Sequence, residues 1–227
     1  MPVISVVNAK GGSGKSTTAL VLASMLAADG DTKVTIIDAD RNQPLAKWRQ
    51  GQSKLPIRVV TDTSEQTIVR TIHAERDVAD FVLVDPEGTA SHLSSRAMMH
   101  SDLVVIPLSA SLLDKDQAER GIEVIQNVEL DIGREINYVI CFNRTNSGAV
   151  LPRYERDLRQ KIIEAEQPLL KTDLNHRQAY ISMFVQRLSL TELDPSQVSG
   201  LEKAVNNAYA FTQDVLDRLI GRKREVA

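Results

Sequence analysis

Ten residues near the start of the chain, Asn8-Ala9-Lys10-Gly11-Gly12-Ser13-Gly14-Lys15-Ser16-Thr17, leave few folds open. They follow an apolar run, Val3 to Val7, and lead into a helix predicted over Ser16 to Ala28, stopping near Gly30. Gly11, Gly12 and Gly14 carry no Cβ to hold the backbone away from a polyanion, and a strand-to-helix turn aims its N–H groups at phosphate oxygens. The stretch reads as a phosphate-binding loop. Lys15 would then reach the β- and γ-phosphates as a cation. The Ser16 hydroxyl would sit on a Mg²⁺ bridging the same oxygens, with Ser13 and Thr17 in the same cradle.

The rest of the chain alternates in the way such a loop requires. Short β-type runs recur at Val3 to Val7, Val34 to Ile37, Ile57 to Val60, Phe81 to Val84, Leu103 to Ile106 and Tyr138 to Phe142. Besides the first helix, helical patterns are predicted at Ser64 to Glu75, Lys115 to Leu130, Arg153 to Glu166, Arg177 to Arg187 and Gln197 to Ile220. Nearly all the strands are unbroken apolar runs, as expected when helices cover both faces. The predicted fold is α/β, a doubly wound and mainly parallel sheet flanked by helices, in one domain over residues 1–227. Ligands bind such sheets beyond the carboxyl ends of the strands.

Composition removes several alternatives. With 42% hydrophobic and 25% charged residues among 227, the chain matches ordinary globular proteins. No apolar run reaches the length of a membrane span, and Met1-Pro2-Val3 lacks a signal-peptide start, so a cytoplasmic location is expected. The lone Cys141 excludes a disulfide within one chain and supplies too few ligands for a cysteine-held cluster. His73, His92, His100 and His176 lack zinc-ligand spacing. The net charge of −3 gives no global footprint for nucleic acid. Residues 151 to 227 hold twelve Lys/Arg against eleven Asp/Glu, which is a weak bias only.

Carboxylates fall at the ends of two predicted strands. Asp38-Ala39-Asp40 closes the second, offering one acid to orient an attacking water and another to support a magnesium shell; a strand end that caps the next helix is the alternative. Asp85 closes Asp80-Phe81-Val82-Leu83-Val84-Asp85, where it would hold a magnesium-bound water, and Gly88 follows in Pro86-Glu87-Gly88, its N–H placed to sense a γ-phosphate. The run Ser101 to Ser111 reads as a further strand and loop, and Asp114 as the start of the helix after it. Asn143-Arg144 closes the strand from Tyr138 and reads as a strand-end turn.

The order Lys10-Gly11-Gly12-Ser13-Gly14-Lys15-Ser16-Thr17, with Ala9 where the common P-loop pattern has glycine, resembles the deviant Walker A loop of the ParA/MinD ATPases. Asp38-Ala39-Asp40 is similar to that family's switch I, with Asp40 at the residue needed for hydrolysis, and Asp80 to Gly88 to its Walker B and switch II. Asn143 stands where the family places an adenine contact. Arg41-Asn42 replaces the usual Pro-Gln, and with Pro44 and Trp48 this variant resembles the VirC group, which assists conjugative T-DNA transfer. Thr172 to Tyr180 resembles a late family motif.

The resemblance implies a small ParA-type ATPase without a helix-turn-helix extension, using ATP and Mg²⁺. Two subunits would close face to face around ATP, with Lys10 reaching the partner's nucleotide, and the dimer would bind DNA non-specifically and associate with the nucleoid. A ParB-like or centromere-binding protein would stimulate slow hydrolysis, so that the cycle positions a plasmid or other DNA cargo. A cation supplied across a dimer also has independent physical sense, since it neutralises transition-state charge as an arginine finger does. The resemblance leaves two other roles open, VirC-like promotion of DNA transfer and MinD-like positioning on a membrane. Asp214 and Asp217 interrupt the basic face of the last helix and weigh against the membrane. Arg187, Lys203, Arg218, Arg222, Lys223 and Arg224 are the basic residues expected to test for DNA, solvated helix charges being the alternative for each.

Overall fold

The computed structural model describes residues 1–8, 10–88, 91–109, 115–146, 148 and 151–225, and side chains within them except 115–121 and 222–225. Ala9, Ser111, Asp114 and the side chains of Arg222, Lys223 and Arg224 therefore lie outside the described residues. Seven strands form one parallel sheet: β1 (Val3–Val6), β2 (Val34–Ala39), β3 (Ile57–Thr61), β4 (Phe81–Pro86), β5 (Leu103–Ser109), β6 (Tyr138–Thr145) and β7 (Leu174–Asn175). Their spatial order is β3-β2-β4-β1-β5-β6-β7. The predicted α/β architecture is the observed one.

The helices are α1 (Lys15–Leu26), α2 (Pro44–Arg49), α3 (Ile68–Arg76), α4 (His92–Met99), α5 (Lys115–Ile132), α6 (Arg153–Glu164), α7 (Gln178–Gln186) and α8 (Leu201–Glu225), with a 3₁₀ turn at Leu190–Glu192. Val3, Ile4, Val6, Ile36, Ile37, Val82, Leu83 and Val84 are completely buried, which is why β1, β2 and β4 read as unbroken apolar runs. On one face, α1, α2, α7 and α8 enclose a core containing Leu20, Leu22, Trp48, Met183, Phe211 and Val215. On the other, α4, α5 and α6 cover Val104, Ile106, Ile140 and Phe142, while α3 and α4 cover Ile37, Val82 and Val84. The stripe Ala204, Ala208, Phe211, Val215 and Leu219 holds α8 down along its length. Asp214, which had counted against membrane binding, accepts the N–H of Thr172 at 2.8 Å. No described helix is long and apolar enough to cross a membrane.

β1 lies between β4 and β5; the chain leaves β1 for β2 on one side of it and passes from β4 to β5 on the other. That reversal opens a crevice above the strand ends, directly over the glycine-rich loop. The register Asp38↔Asp85 and Ala39↔Pro86 brings the carboxyl ends of β2 and β4 to the same height. Strand pairing alone thus sets both acids beside the loop.

Candidate functional site

The loop between β1 and α1 is held from two directions. From below, Asn143 at the end of β6 is buried, and its Nδ2 donates to the carbonyls of Ser13 and Gly14 at 3.4 Å and to Thr18 Oγ1 at 3.2 Å. Its Oδ1 accepts the N–H of Arg144 at 2.8 Å. Both ends of the amide are engaged, and Asn143 braces the loop from beneath. Gly14 permits that brace: its φ is +93°, and a Cβ there would stand 2.1 Å from Asn143 Nδ2. From above, Gly88 of switch II closes on the loop. A Cβ at Gly88 would fall 2.7 Å from Lys15 Nζ and 2.9 Å from Gly11 N.

Lys15 opens α1 and is 6% exposed. Its Nζ makes a long 3.3 Å contact with the carbonyl of Lys10, a weak tether that a phosphate oxygen can outcompete. Burial lowers its pKa, while Asp85, Asp40 and Glu87 act to raise it. The lysine is therefore ringed by the acids that sequence spacing assigned to β2 and β4.

Asp85 is fully buried, and neither carboxylate oxygen has a hydrogen bond of normal geometry. Burial pushes its pKa up to about 7; the Ser16 hydroxyl and the Lys15 ammonium pull against that, and Asp38 and Asp40 reinforce it. A buried carboxylate without partners is costly unless something compensates it. Asp85 and the Ser16 hydroxyl form a hard-oxygen pair suited to magnesium, which keeps most of its shell as water and phosphate oxygens.

Asp38 is engaged by the start of α2. Its Oδ2 accepts the N–H groups of Leu45 and Ala46 at 2.9 and 2.8 Å, and Oδ1 lies 3.4 Å from the N–H of Asp40. It caps α2, whose first turn, begun by Pro44, otherwise has no side-chain cap. These bonds are those of the helix-capping alternative, and they leave acceptor sites on the carboxylate for the magnesium shell expected of Asp38. Asp40 lies two residues on and is half-buried; Oδ1 accepts the N–H of Asn42 at 2.7 Å, and the group acts on Lys15 electrostatically.

Three features of switch I carried no assignment from sequence. Trp48 is 1% exposed and its indole N–H donates to the carbonyl of Leu188 at 3.1 Å, so the aromatic anchors α2 to the segment after α7. Gly51 presses on Arg187, which has a left-handed φ of +54°. Arg41 Nε lies 3.2 Å from Glu87 Oε2, a solvated ion pair joining the two switch loops. Neither residue type forms a motif by itself, but opposite charges within two residues of paired strand ends were a usable signal.

The late motif now has a structural account. Asn175 Nδ2 donates to Thr145 Oγ1 at 2.9 Å, Asn207 Oδ1 accepts the N–H of Asn175 at 3.0 Å, and the Tyr180 hydroxyl reaches the Ala204 carbonyl and Asn207 Oδ1, both at 3.0 Å. Arg159 lies 4.0 Å above the Phe142 ring and bridges Glu155 and Asp173. Together these contacts fix β7 and α7 to the end of β6.

A glycine loop at the reversal point of a parallel sheet, one buried lysine at its helix start and strand-end acids around it define a P-loop nucleotide-binding protein. Residues 1–215 match the family model described as VirC1 protein. The protein ParA of Rhizobium radiobacter is 33% identical over 220 residues, covering 96% of this chain and 98% of that one. Among solved structures, apo McdA from Cyanthece superposes with a TM-score of 0.72 at 16% identity, covering 92% and 99% of the two chains. A putative plasmid partition protein from Borrelia burgdorferi B31 bound to AMPPNP superposes at 0.66 and 14%, covering 93% and 98%. The chain belongs to the VirC1 family of the ParA/MinD superfamily of ATPases.

Proposed function

We propose that this chain is an ATP-driven dimerisation switch that binds DNA without sequence preference and positions a plasmid or other DNA cargo together with a partner protein. The observation that carries the reading is a buried Lys15 at the mouth of the glycine loop, with Asp85, Asp40 and Glu87 near enough to act on it electrostatically. In it, Gly11 to Thr17 wrap the triphosphate, Lys15 meets its β- and γ-oxygens, Asp40 orients the attacking water, and Lys10 reaches the nucleotide of the facing subunit. Ser16 and Asp85 would hold Mg²⁺, which would neutralise charge between the β- and γ-phosphates. The position of Gly88 against Gly11 and Lys15 supports a switch II that responds to the γ-phosphate.

Asp40→Ala should bind ATP with wild-type affinity and hydrolyse it poorly, because water orientation is removed while the loop and Ser16 stay intact. A loss of about 10²-fold in turnover is expected, in the range of a positioned acid–base group. Calorimetry with ATP beside a phosphate-release assay checks it; lost affinity with unchanged turnover per bound nucleotide would reverse the assignment.

The dimer is tested at Gly12. It has φ +77° with nothing within 4 Å of an added Cβ, so a side chain there meets no other part of its own subunit. Gly12→Val should leave monomeric nucleotide binding largely intact, apart from left-handed backbone strain of about 1–2 kcal/mol. It should block close approach of a facing loop. DNA binding should disappear with it.

Of the basic residues expected to meet DNA, Arg187 and Lys203 are exposed, while Arg218 is half-buried with Nη2 3.4 Å from the carbonyl of Tyr138. Lys203 and Arg218 are about 22 Å apart along α8 and about 60° apart around it, close enough in direction to face one duplex. Phosphate contacts from two subunits add in free energy and in salt dependence. Mobility shifts on unrelated duplexes should show salt-sensitive binding with ATP only, lost in Gly12→Val. Equal binding with ATP, ADP and no nucleotide would sink the model.

A further inference from the structure

The lysine that distinguishes this loop, Lys10, is placed by a side chain with no assigned role, Asn8. β1 pairs with β5 as far as Val6↔Val105, and the N–H of Val7 adds one more bond to the carbonyl of Val105 at 2.9 Å. Alternate carbonyls of a strand face the same neighbour, so the next acceptor up β5 on that edge is Pro107 O. It is taken by Asn8 Nδ2 at 2.6 Å. The other end of the same amide, Oδ1, accepts the N–H of Lys10 at 2.9 Å. Asn8 is 3% exposed, so both bonds are shielded from water.

A side-chain amide has the donor and acceptor of a peptide unit. At position 8 it therefore supplies one more rung between β1 and β5, and its free end fixes where the main chain departs for the loop. The proline on the facing strand fits this arrangement. Its missing N–H lies on the edge where β1 has ended, so no ladder bond is lost there. Asn143 braces the loop at Ser13 and Gly14; Asn8 braces it at Lys10, the two amides acting at opposite ends of the cradle.

We infer that Asn8 is a positioning residue for Lys10, fixing the main chain from which that lysine crosses to a facing subunit's nucleotide. The inference rests on the ATPase reading given above, and its test has one arm that does not. Hydrogen exchange of the nucleotide-free protein should show faster exchange at the Lys10 N–H in Asn8→Ala, with β1 and β5 amides unchanged. In steady-state hydrolysis Asn8→Ala should lower kcat about tenfold, as for one or two lost buried hydrogen bonds, with KM within about twofold. Asn8→Ser, whose hydroxyl can still make the local turn to the Lys10 N–H, should recover most of that loss. The double variant Asn8→Ala/Lys10→Ala should turn over no more slowly than Lys10→Ala alone.

Unchanged exchange at Lys10 overturns the positioning role whatever the turnover. A fall in nucleotide affinity equal to the fall in turnover, or losses that multiply with Lys10→Ala, overturns it as well. Wild-type protein without turnover removes the ATPase reading instead, and the exchange arm then decides the placement of Lys10 alone.

Discussion

Lys15→Ala should reduce single-turnover hydrolysis by about 10²–10³-fold, the usual consequence of deleting one preorganised group that stabilises developing charge. The surroundings make the effect large. Lys15 is 6% exposed and is the cation facing Asp85, Asp40 and Glu87. Without it a triphosphate would enter a pocket lined by three acids, so affinity for ATP should fall together with turnover. Arginine should not rescue. A guanidinium is a planar fork rather than a compact ammonium, and the space over Nζ is small enough that a Cβ added to Gly88 would stand 2.7 Å from it. Calorimetry and phosphate release on the same preparation provide the check. A Lys15→Ala protein retaining more than about a tenth of wild-type turnover would remove the lysine from the chemistry, since a transition-state contact is worth far more than that.

The strands were readable from sequence because burial on both faces makes them apolar throughout, and their starts were placed correctly. Their ends were not. The apolar run stops at Ile37, yet β2 continues through Asp38 and Ala39 because these pair with Asp85 and Pro86 on β4. At a site, polar residues inherit strand geometry from their neighbours, so hydrophobicity underestimates the strand where function sits. β7 has two residues, too few for any periodicity.

Two short helices were missed for a related reason. α2 has six residues and α4 has eight, less than the window in which a 3.6-residue period can be recognised. Their start signals were nevertheless present: Pro44 at the first turn of α2, and Ser91 before α4, where its Oγ accepts the N–H of Ser94. α3 was placed too early, at Ser64. Asp62 collects Ser64 N–H and the hydroxyls of Thr67 and Thr71, which holds a turn ahead of the helix.

At the site, spacing identified which residues come together but not how each is occupied. Lys15, Asp40 and Asp85 converge as their strand-end positions implied. Asp38 and Asn143 reach the same region with polar atoms bonded to the protein, the first to α2 and the second to the loop. Sequence shows a carboxylate or an amide at a strand end. Whether it faces a ligand or a backbone N–H depends on the neighbouring element, here a helix too short to detect and a loop from the other end of the chain.

Asp85→Asn should stabilise the nucleotide-free protein at pH 8 while abolishing hydrolysis, a pairing that a purely structural aspartate would not show. Burial raises the carboxyl from 3.8 to about 7. The sign follows directly: between those values the folded state holds a proton that the unfolded state has released, so stability is greatest near pH 4. It declines as pH rises and stops changing above about pH 7. The interval corresponds to about 4 kcal/mol of stability withdrawn by pH 8. Asn at this position removes the charge and keeps the shape, so denaturant unfolding at pH 8 in chelator should show a gain of roughly 2–4 kcal/mol over wild type. The gain should shrink as pH falls through this window and vanish below about pH 4. Asp38, whose pKa burial also raises, is coupled to Asp85, and relief of their repulsion is part of the same gain. With magnesium and ATP present the order should reverse, because wild type gains ligand-linked stability that the variant lacks. If Asp85→Asn is instead destabilised at pH 8 in chelator, the carboxylate is held by protein partners, and its assignment to magnesium fails.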